Sequence, residues 1–263
     1  MDLNLKDRCA LVTAASQGLG RACAEALALE GARVAICSRN RGRVNRTANE
    51  IAKKAKVEVF GFVCDLKNSE DVGRLVSECR EHLGRVDIFV FNHGNLLPGS
   101  FSDIGIEEWQ EGLNICLWPA IHLSRSLMPE MKKQRWGRII FISSIFAKEP
   151  NPEYVLSSTL RAGLLGFAKC LAHEVAPYRI TVNTVLAGYF DTPLVRRLAK
   201  DRARLLGKDI REVQEEWAAM LPTRIIPEPL ALGHLVGWLS SEKAHNVTST
   251  TVVSDGGLVK GLF

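Results

Sequence analysis

Thr13-Ala14-Ala15-Ser16-Gln17-Gly18-Leu19-Gly20-Arg21 is the stretch that decides the fold, and it directly follows the apolar run Cys9–Val12. Glycines at the opening of a helix let the backbone approach a phosphate group, and the helix N-terminus offers free N–H groups and a partial positive charge. The stretch therefore predicts a strand, a turn that binds a pyrophosphate, and a helix. Ala14 stands where the usual fingerprint has its first glycine, so a plain strand–helix turn is the alternative interpretation.

Beyond this turn, short apolar runs alternate with segments of helical length along the whole chain. The runs have the branched and aromatic character of strands that are covered on both faces, and they lie at 9–12, 34–37, 57–63, 88–91, 139–142, 180–182 and 250–253. The segments predicted as helices are 19–30, 68–82, 107–133 and about 153–176. Pro119 is a possible kink in the third of these. This alternation predicts an α/β fold with a parallel sheet and helices on both faces.

Length and composition bound the class of protein. The chain has 263 residues, of which 46% are hydrophobic and 24% charged, and these ordinary values exclude a collagen-like or wholly disordered chain. The length allows one large domain or two small ones. No apolar run exceeds five residues, and residues 1–8 contain no apolar stretch of signal-peptide length. The sequence therefore predicts neither a membrane-spanning helix nor a secretory signal.

Cysteine spacing and net charge bear on the compartment and on the partners. No two of the seven cysteines lie within four residues of each other, which argues against a zinc site. They lie in apolar stretches, so we expect buried, reduced thiols and a cytoplasmic protein. The formal charge of +5 is mild, and it suits an anionic small molecule better than nucleic acid.

The end of the second predicted strand, Cys37-Ser38-Arg39-Asn40-Arg41, bears on the choice of nucleotide. An acidic residue there would bind the ribose 2′-hydroxyl of NAD, whereas an arginine accommodates the 2′-phosphate of NADP. This chain has no carboxylate in that stretch, and Arg39 is placed for a bidentate phosphate contact. Residues 33–56 hold eight basic residues and one acid, Glu50. A solvated helix face is the interpretation preferred for Arg43, Arg46, Lys53 and Lys54, and Gln17 adds no charge to the glycine turn.

Further short elements follow in order along the chain. They are Cys64-Asp65-Leu66, Asn92-His93-Gly94, Leu113-Asn114-Ile115, Ile142-Ser143-Ser144, Asn183-Thr184-Val185-Leu186-Ala187-Gly188, Thr192 and Val252-Val253-Ser254-Asp255-Gly256-Gly257. Together with the glycine turn, these elements resemble the short-chain dehydrogenase/reductase family over essentially the whole chain. The resemblance implies a Rossmann-like, doubly wound α/β fold with a seven-stranded, mainly parallel sheet, in a single domain over residues 1–263.

The resemblance also implies roles for individual residues. Those implied to contact the cofactor are Thr13, Ser16, Gly18, Leu19, Gly20, Ser38, Arg39, Asp65, Leu66, Asn92, Gly94, Gly188 and Thr192. Those implied to be catalytic are Asn114, Ser144, Ser157 and Arg161. No metal site is implied. The cofactor expected from Arg39 is NADP, with NAD as the alternative.

The chain departs from the family pattern at its chemical centre. The family carries Tyr-x3-Lys on the helix after the serine, and the flanking sequence 161–167 aligns Ser157 with the tyrosine and Arg161 with the lysine. In the family, the tyrosine exchanges a proton with the carbonyl oxygen while the lysine lowers its pKa. A serine hydroxyl is a much weaker acid, and an arginine stays protonated, so the usual proton transfer is not available to this pair.

Three other proton sources stay open at this point. Tyr154 lies three residues before Ser157 and would share a helix face with it if the helix already included it; a tyrosine packed at the helix start is the alternative. His93 replaces a small alanine beside the cofactor, and a hydrogen-bonded loop imidazole is the alternative. Ser144, Ser157 and a bound water would form a polar relay. The role of Asn114 is equally open, because its usual lysine partner is absent.

These observations predict an NADP-preferring oxidoreductase that interconverts an alcohol and a carbonyl with atypical proton transfer. The alternatives are a nucleotide-binding scaffold without turnover and a dehydration or isomerisation on the same fold. Seven basic residues at 196–211 fall in the variable lid segment, about 190–227, and they favour an acidic substrate unless they form a solvated helix. The family habit also implies a homodimer or homotetramer built through helices 107–133 and 153–176.

Overall fold

Residues 2–262, which the computed structural model describes, form a seven-stranded sheet in which all neighbouring strands run parallel. The strands are β1 Cys9–Val12, β2 Arg33–Ser38, β3 Val59–Val63, β4 Ile88–Phe91, β5 Gly137–Ser144, β6 Ile180–Ala187 and β7 Thr251–Ser254. Their order across the sheet is β3-β2-β1-β4-β5-β6-β7. The predicted α/β, Rossmann-like doubly wound fold is therefore confirmed.

Helices cover both faces of the sheet. They are α1 Gly18–Leu29, α2 Arg41–Ala55, α3 Ser69–Leu83, α4 Ile106–Cys116, α5 Trp118–Gln134, α6 Val155–Val175, α7 Pro193–Leu206, α8 Ile210–Met220 and α9 Pro229–Leu239. Buried residues of α3, α5 and α6 form the core on one face, and those of α1, α2 and α9 form the core on the other. The sheet is thus the middle of three layers.

The apolar runs of the sequence follow from this double coverage. In β1, Leu11 belongs to the core under α3, α5 and α6, whereas Ala10 and Val12 belong to the opposite core. In β4, Phe89 and Ile88 are divided between the two cores in the same way. Because successive side chains of a strand point to opposite faces, a strand covered on both sides needs apolar residues at every position. This explains why β1 and β4 have the bounds that the sequence predicts.

The strand order reverses at β1, which lies between β2 and β4. In open parallel sheets, ligands bind beyond the carboxyl ends of the strands at such a point. The register places Val12 beside Ile36 and Val90, and it places Ser144 beside Ala187. The segments that follow β1, β2, β4, β5 and β6 therefore leave the sheet at the same edge, and this edge carries most of the predicted site residues.

The predicted helix 107–133 consists of two helices. The first, α4, ends at Cys116, and α5 begins at Trp118. Pro119 lies in the first turn of α5, where the N–H group that proline lacks would have no helical acceptor in any case. Pro119 therefore starts a helix instead of kinking one.

The expectation that all seven thiols are buried is wrong at Cys170. Six cysteines are buried, whereas Cys170 lies exposed on α6. Its neighbours Ala168, Leu171 and Ala172 face the core. Successive residues of a helix point about 100° apart, so an apolar stretch of sequence does not place every one of its members inside.

One described helical segment, Val155–Tyr178, is long and apolar enough to cross a membrane by length and composition, with a mean hydropathy of 1.2. In the fold, 44% of its most apolar window is buried. The same helix supplies Leu156, Leu164 and Val175 to the core beside the sheet. A helix in the core of a folded domain can be as long and as apolar as a membrane-spanning helix, and the burial and the core contacts of this helix are those of a core helix.

Candidate functional site

A cleft of about 1090 Å³ opens at the carboxyl edge of the sheet. Thirteen of the predicted site residues line it, namely Ser16, Gly18, Leu19, Ser38, Arg39, Asp65, Leu66, Asn92, Gly94, Ser144, Arg161, Gly188 and Thr192. Four others do not line it, namely Thr13, Gly20, Asn114 and Ser157. The structure thus brings together residues from seven separate segments of the sequence, but it divides the predicted catalytic group.

Thr13 and Asn92 join the ends of β1 and β4 at the floor of the cleft. The Thr13 hydroxyl is fully buried, donates to the Asn92 carbonyl at 2.6 Å and accepts from the Asn92 N–H at 2.9 Å. The Asn92 side chain in turn donates to the Ala14 carbonyl at 3.2 Å. Buried polar groups need such partners, so both residues position the turn from below.

The turn between β1 and α1 has left-handed backbone conformations, which favour glycine, even at Ala14. Ala14 adopts φ +47° and Gly18 adopts φ +60°. Gly20 lies where α1 passes closest to the turn, and a Cβ atom there would be 2.7 Å from both the Ala14 carbonyl oxygen and the Asn92 amide nitrogen. The turn therefore brings α1 as close to the ends of β1 and β4 as backbone atoms allow.

We expect Gly20→Ala to destabilise the protein by about 1–3 kcal/mol, because the added methyl group forces the backbone of the turn to move. Gly73→Ala is the matched control, since a Cβ atom at this α3 position has nothing within 4 Å. That change should be neutral or stabilising by about 0.5–1 kcal/mol, because alanine favours a helix over glycine. Urea unfolding of both variants checks the prediction, and equal free energies of unfolding would contradict the close approach at Gly20.

The N-terminus of α1 faces the cleft without a side-chain cap. Gln17 is the cap residue and its backbone is extended, but its side chain makes no capping hydrogen bond and instead accepts from Arg43 at 3.2 Å. The first N–H groups of a helix have no partner within the helix and attract an anion. Gly18 and Leu19, the first two residues of α1, line the cleft beside these donors. This turn therefore fits a phosphate or pyrophosphate group.

Basic residues line the cleft beyond β2. Arg39 is exposed and makes no hydrogen bond or ion pair with any other residue of 2–262. Asn40 caps α2 by accepting from the Arg43 N–H at 2.8 Å, so the two arginines leave the same turn. Arg43 is exposed, as expected for a solvated helix face, and it lines the cleft as well. The sequence could have indicated this position, because Arg43 lies in the first turn of the helix that follows the second strand.

The loop after β3 forms another wall of the cleft. The Asp65 carboxylate accepts from the Lys67 N–H at 3.1 Å, and the Asp65 N–H donates to Asp71 at 2.9 Å. That bond and the one from Arg74 lower the pKa of Asp71. Lys67 pairs with Glu111 of α4 at 2.6 Å across the cleft rim. These contacts fix the loop that presents Asp65 and Leu66 to the cleft.

Ser144 and Arg161 line the cleft at the end of β5. The Ser144 hydroxyl accepts from the Phe146 N–H at 3.4 Å and keeps its own proton free to be donated. The Nε atom of Arg161 is buried and has no hydrogen-bond partner among residues 2–262, and neither has the buried hydroxyl of Ser143. Burial lowers the pKa of Arg161. The Arg161 side chain is therefore partly buried, with one donor enclosed and unpartnered and the rest of the guanidinium facing the cleft, where it is free to bind a ligand.

His93 is a neutral side chain at this site. Its Nδ1 lies 2.6 Å from the Gly94 carbonyl, which assigns the ring proton to Nδ1 and leaves Nε2 as an acceptor without a partner. Burial and the charge of Arg161 lower the pKa of His93 to about 3. A neutral ring whose only N–H proton is held by a carbonyl cannot protonate a substrate near neutral pH, so His93 offers the cleft only the unpartnered acceptor Nε2.

Ser157 and Tyr154 lie outside the cleft. The Ser157 side chain is buried in the first turn of α6 and does not line the cavity, whereas the longer Arg161 side chain, one turn later, does. Helix α6 begins at Val155, so Tyr154 is its cap residue and does not share a helical face with Ser157. The Tyr154 ring stacks on Phe146 with centroids 4.7 Å apart, as expected for a tyrosine packed at a helix start.

Asn114 also lies outside the cleft. Its side-chain oxygen accepts from Gln110 one turn earlier in α4, at 3.3 Å. The adjacent Ile115 lines the cleft instead. The hydrogen bond to Gln110 therefore ties the Asn114 side chain to its own helix.

The lid segment closes one side of the cleft through α7. Thr192 caps this helix by accepting from the Val195 N–H at 3.3 Å, and it lines the cleft together with Arg197. Two of the other basic residues are engaged elsewhere, since Arg196 pairs with Asp191 at 2.6 Å and Lys208 pairs with Glu216. Most of the basic excess of this segment therefore belongs to a solvated helix surface, and Arg197 is the member that faces the cavity.

Comparison with known proteins gives consistent matches over the whole chain. A family model described as short chain dehydrogenase matches residues 8–203. The chain is 31% identical over 258 residues to 3-oxoacyl-(acyl-carrier-protein) reductase of Aquifex aeolicus, with 98% of this chain and 100% of that one covered. It is 34% identical to human dehydrogenase/reductase SDR family member 4 over 254 residues, with coverages of 96% and 88%. The solved L-sorbose reductase of Gluconobacter frateurii, complexed with NADPH and L-sorbose, superposes with a TM-score of 0.96 at 29% identity over 100% of both chains.

Proposed function

Because the chain belongs to the short-chain dehydrogenase family, we propose that it is an NADP-preferring oxidoreductase that interconverts a carbonyl and an alcohol. The observation that carries the proposal is one continuous cleft with an uncapped helix N-terminus in its middle, the unpaired Arg39 at one end and Ser144 with Arg161 at the other. Related reductases work on carbonyl substrates, and the L-sorbose reductase was solved with NADPH.

The dimensions of the cleft support a dinucleotide. From the end of β2, where Arg39 lies, to the end of β5, where Ser144 lies, there are three strand spacings, or about 14 Å. The free N–H groups of α1 would hold the pyrophosphate between these points, and Arg39 would meet a 2′-phosphate. NADPH, when bound, supplies the hydride that reduces the carbonyl carbon.

The chain must then supply or relay one proton to the carbonyl oxygen. We assign Ser157 and Arg161 to the positions of the family tyrosine and lysine. Ser157 does not reach the cleft, and His93 holds its proton on the Gly94 carbonyl. Ser144 remains as the hydroxyl that contacts the substrate oxygen, with water as the source of the proton. Such a site orients the substrate for hydride transfer but lacks a positioned acid, so the chemical step should be slow.

A scaffold protein that binds the nucleotide without turnover is the second candidate, and the position of Ser157 outside the cleft favours it. The cytoplasmic location, the single domain and the homo-oligomer stay predictions from the sequence. The oligomer is best checked by sedimentation, because exposed apolar residues on α4 and α5, such as Ile106 and Trp118, lie on the helices that the resemblance implies as interfaces.

The function is tested by titrating the purified protein with NADPH and NADH and then following NADPH absorbance with a panel of ketones and aldehydes. We expect NADPH to bind at least about 10-fold more tightly than NADH, because only NADPH offers a phosphate to Arg39. We also expect slow turnover that stops when Ser144 is replaced by alanine. Tight NADPH binding without turnover of any carbonyl would support the scaffold instead.

A further inference from the structure

Arg161 brings a positive charge into the cleft that the protein itself does not balance. Its Nε atom is buried without a partner, and no carboxylate of residues 2–262 lies within 4 Å of its guanidinium. By contrast, the buried Arg138 of β5 donates to three backbone carbonyls and pairs with Glu242 at 3.4 Å. The fold therefore provides hydrogen-bond and ion-pair partners for Arg138, whose role is structural, and provides none for the Nε atom of Arg161.

The neighbours of Arg161 do not provide a counter-ion. Burial raises the pKa of Cys116 to about 11 even though Arg161 acts in the opposite direction, so the thiol stays neutral. His93 is neutral as well, with Nε2 free to accept a hydrogen bond. The nearest titratable groups on α4 and on the loop after β4 are thus uncharged near neutral pH. Arg161 therefore has no anionic partner among these groups and is free to bind an anionic ligand in the cleft.

We propose that Arg161 binds a carboxylate of the substrate, and that the substrate class is therefore oxo acids whose carbonyl group is reduced beside Ser144. This deepens the proposed function and rests on it. A guanidinium presents a planar fork of donors that matches a carboxylate with two parallel hydrogen bonds. The Nε2 atom of His93 and the hydroxyl of Ser143 are also buried without a partner, so an acceptor and a donor lie in the same part of the cleft. The inference is independent of the basic lid, because most of the charge of the lid lies on a solvated surface.

The reduction of an oxo acid at this site balances without any further reactant. NADPH is oxidised to NADP⁺ and gives a hydride to the carbonyl carbon, the C=O π bond becomes a lone pair on oxygen, and that oxygen takes one proton from water. The carboxylate remains unchanged throughout. Arg161 therefore acts in binding and orientation, while proton transfer is left to Ser144 and water.

Carboxylate binding is measured directly by calorimetry, with malonate and oxamate as unreactive probes and malonamide and oxamide as their neutral counterparts. The protein is loaded with saturating NADPH at about 0.15 M salt. We expect the acids to bind and the amides to bind at least 10-fold more weakly. Arg161→Gln should weaken the acids by about 10- to 100-fold, and Arg161→Lys by less, because a lysine keeps the charge but loses the fork.

Lys200→Gln is the matched control, because Lys200 is an exposed cation on α7 that does not line the cleft. Its effect on acid binding should stay below about 3-fold. Equal losses in the two variants would overturn the proposal in favour of a general positive field. A loss of NADPH affinity in Arg161→Gln as large as the loss of acid affinity would assign Arg161 to the cofactor and would also overturn it.

A second test needs no variant. With the wild-type protein, kcat/KM for 4-oxopentanoate or 2-oxobutanoate should exceed that for the corresponding methyl ester by at least 10-fold. An equal or greater value for the esters would overturn the assignment of oxo acids. If NADPH itself does not bind, the proposed function fails as a whole. If NADPH binds and esters are reduced as well as acids, only this inference fails.

Discussion

Replacing Ser157 by tyrosine and Arg161 by lysine together should raise kcat for a neutral ketone by about 10²- to 10⁴-fold. A tyrosine at position 157, in the first turn of α6, has a much longer side chain than the serine, and we expect its hydroxyl to enter the cleft beside Ser144. A nearby lysine lowers the pKa of the phenol from about 10 toward the working pH. The double variant would thus add the positioned acid that the natural chain lacks.

The controls for this variant separate proton transfer from changes in packing. Ser157→Phe/Arg161→Lys adds the same ring without the hydroxyl, and it should leave kcat near that of the natural protein. A neutral ketone is used so that the loss of the arginine does not affect substrate binding. The pH profile of the tyrosine variant should show kcat for reduction falling as the phenol ionises at high pH, a limb that the natural chain should lack.

Equal rates for the tyrosine and phenylalanine variants would contradict this account. In that case the proton is not what limits the reaction, or the ring does not enter the cleft. NADPH affinity measured on both variants distinguishes these outcomes from a damaged site, because the glycine turn and Arg39 lie on other elements.

Much of the fold can be predicted from the sequence. Strands that are covered by helices on both faces need apolar residues at successive positions, so they are visible in the sequence as uninterrupted apolar runs. β1 and β4 are four-residue strands with all side chains buried, and their bounds match the predicted runs. β6 is longer than predicted, since it continues to Ala187 through polar residues such as Asn183 and Thr184, which are buried as well. Asn183 is satisfied there by donating to the Val247 carbonyl at 2.7 Å, a long-range partner that periodicity cannot reveal.

The sequence named thirteen of the residues that line the cleft, but it did not show which side chains of the predicted site reach the cavity. Spacing alone places Ser157 and Arg161 one turn apart on a helix, yet only Arg161 lines the cleft. The difference depends on side-chain length and on how deeply α6 packs, and neither is a property of spacing. His93 shows the same limit, because its neutral state results from burial and from Arg161, which comes 68 positions later in the chain.

Replacing Arg39 by alanine should weaken NADPH binding by about 10- to 100-fold and NADH binding by less than about 3-fold. Arg39 lines the cleft at the end of β2, is exposed and pairs with no acid of residues 2–262, so its fork of donors is free for a phosphate. A phosphate of two negative charges gains charge-assisted hydrogen bonds there, whereas a ribose hydroxyl gains little. The measurement is a fluorescence titration with both nucleotides.

Arg41→Ala is the matched control for Arg39→Ala, because it removes the same charge two residues away, where the side chain does not line this cleft. It should change the affinity for NADPH by less than about 3-fold at physiological salt, where exposed charges are screened beyond about 8 Å. Arg43 lines the cleft and bonds Gln17, so Arg43→Ala should have an intermediate effect. Equal losses of NADPH and NADH affinity in Arg39→Ala would mean that Arg39 supports the shape of the turn after β2 instead of reading the 2′-phosphate. The preference for NADP would then have to come from Arg43.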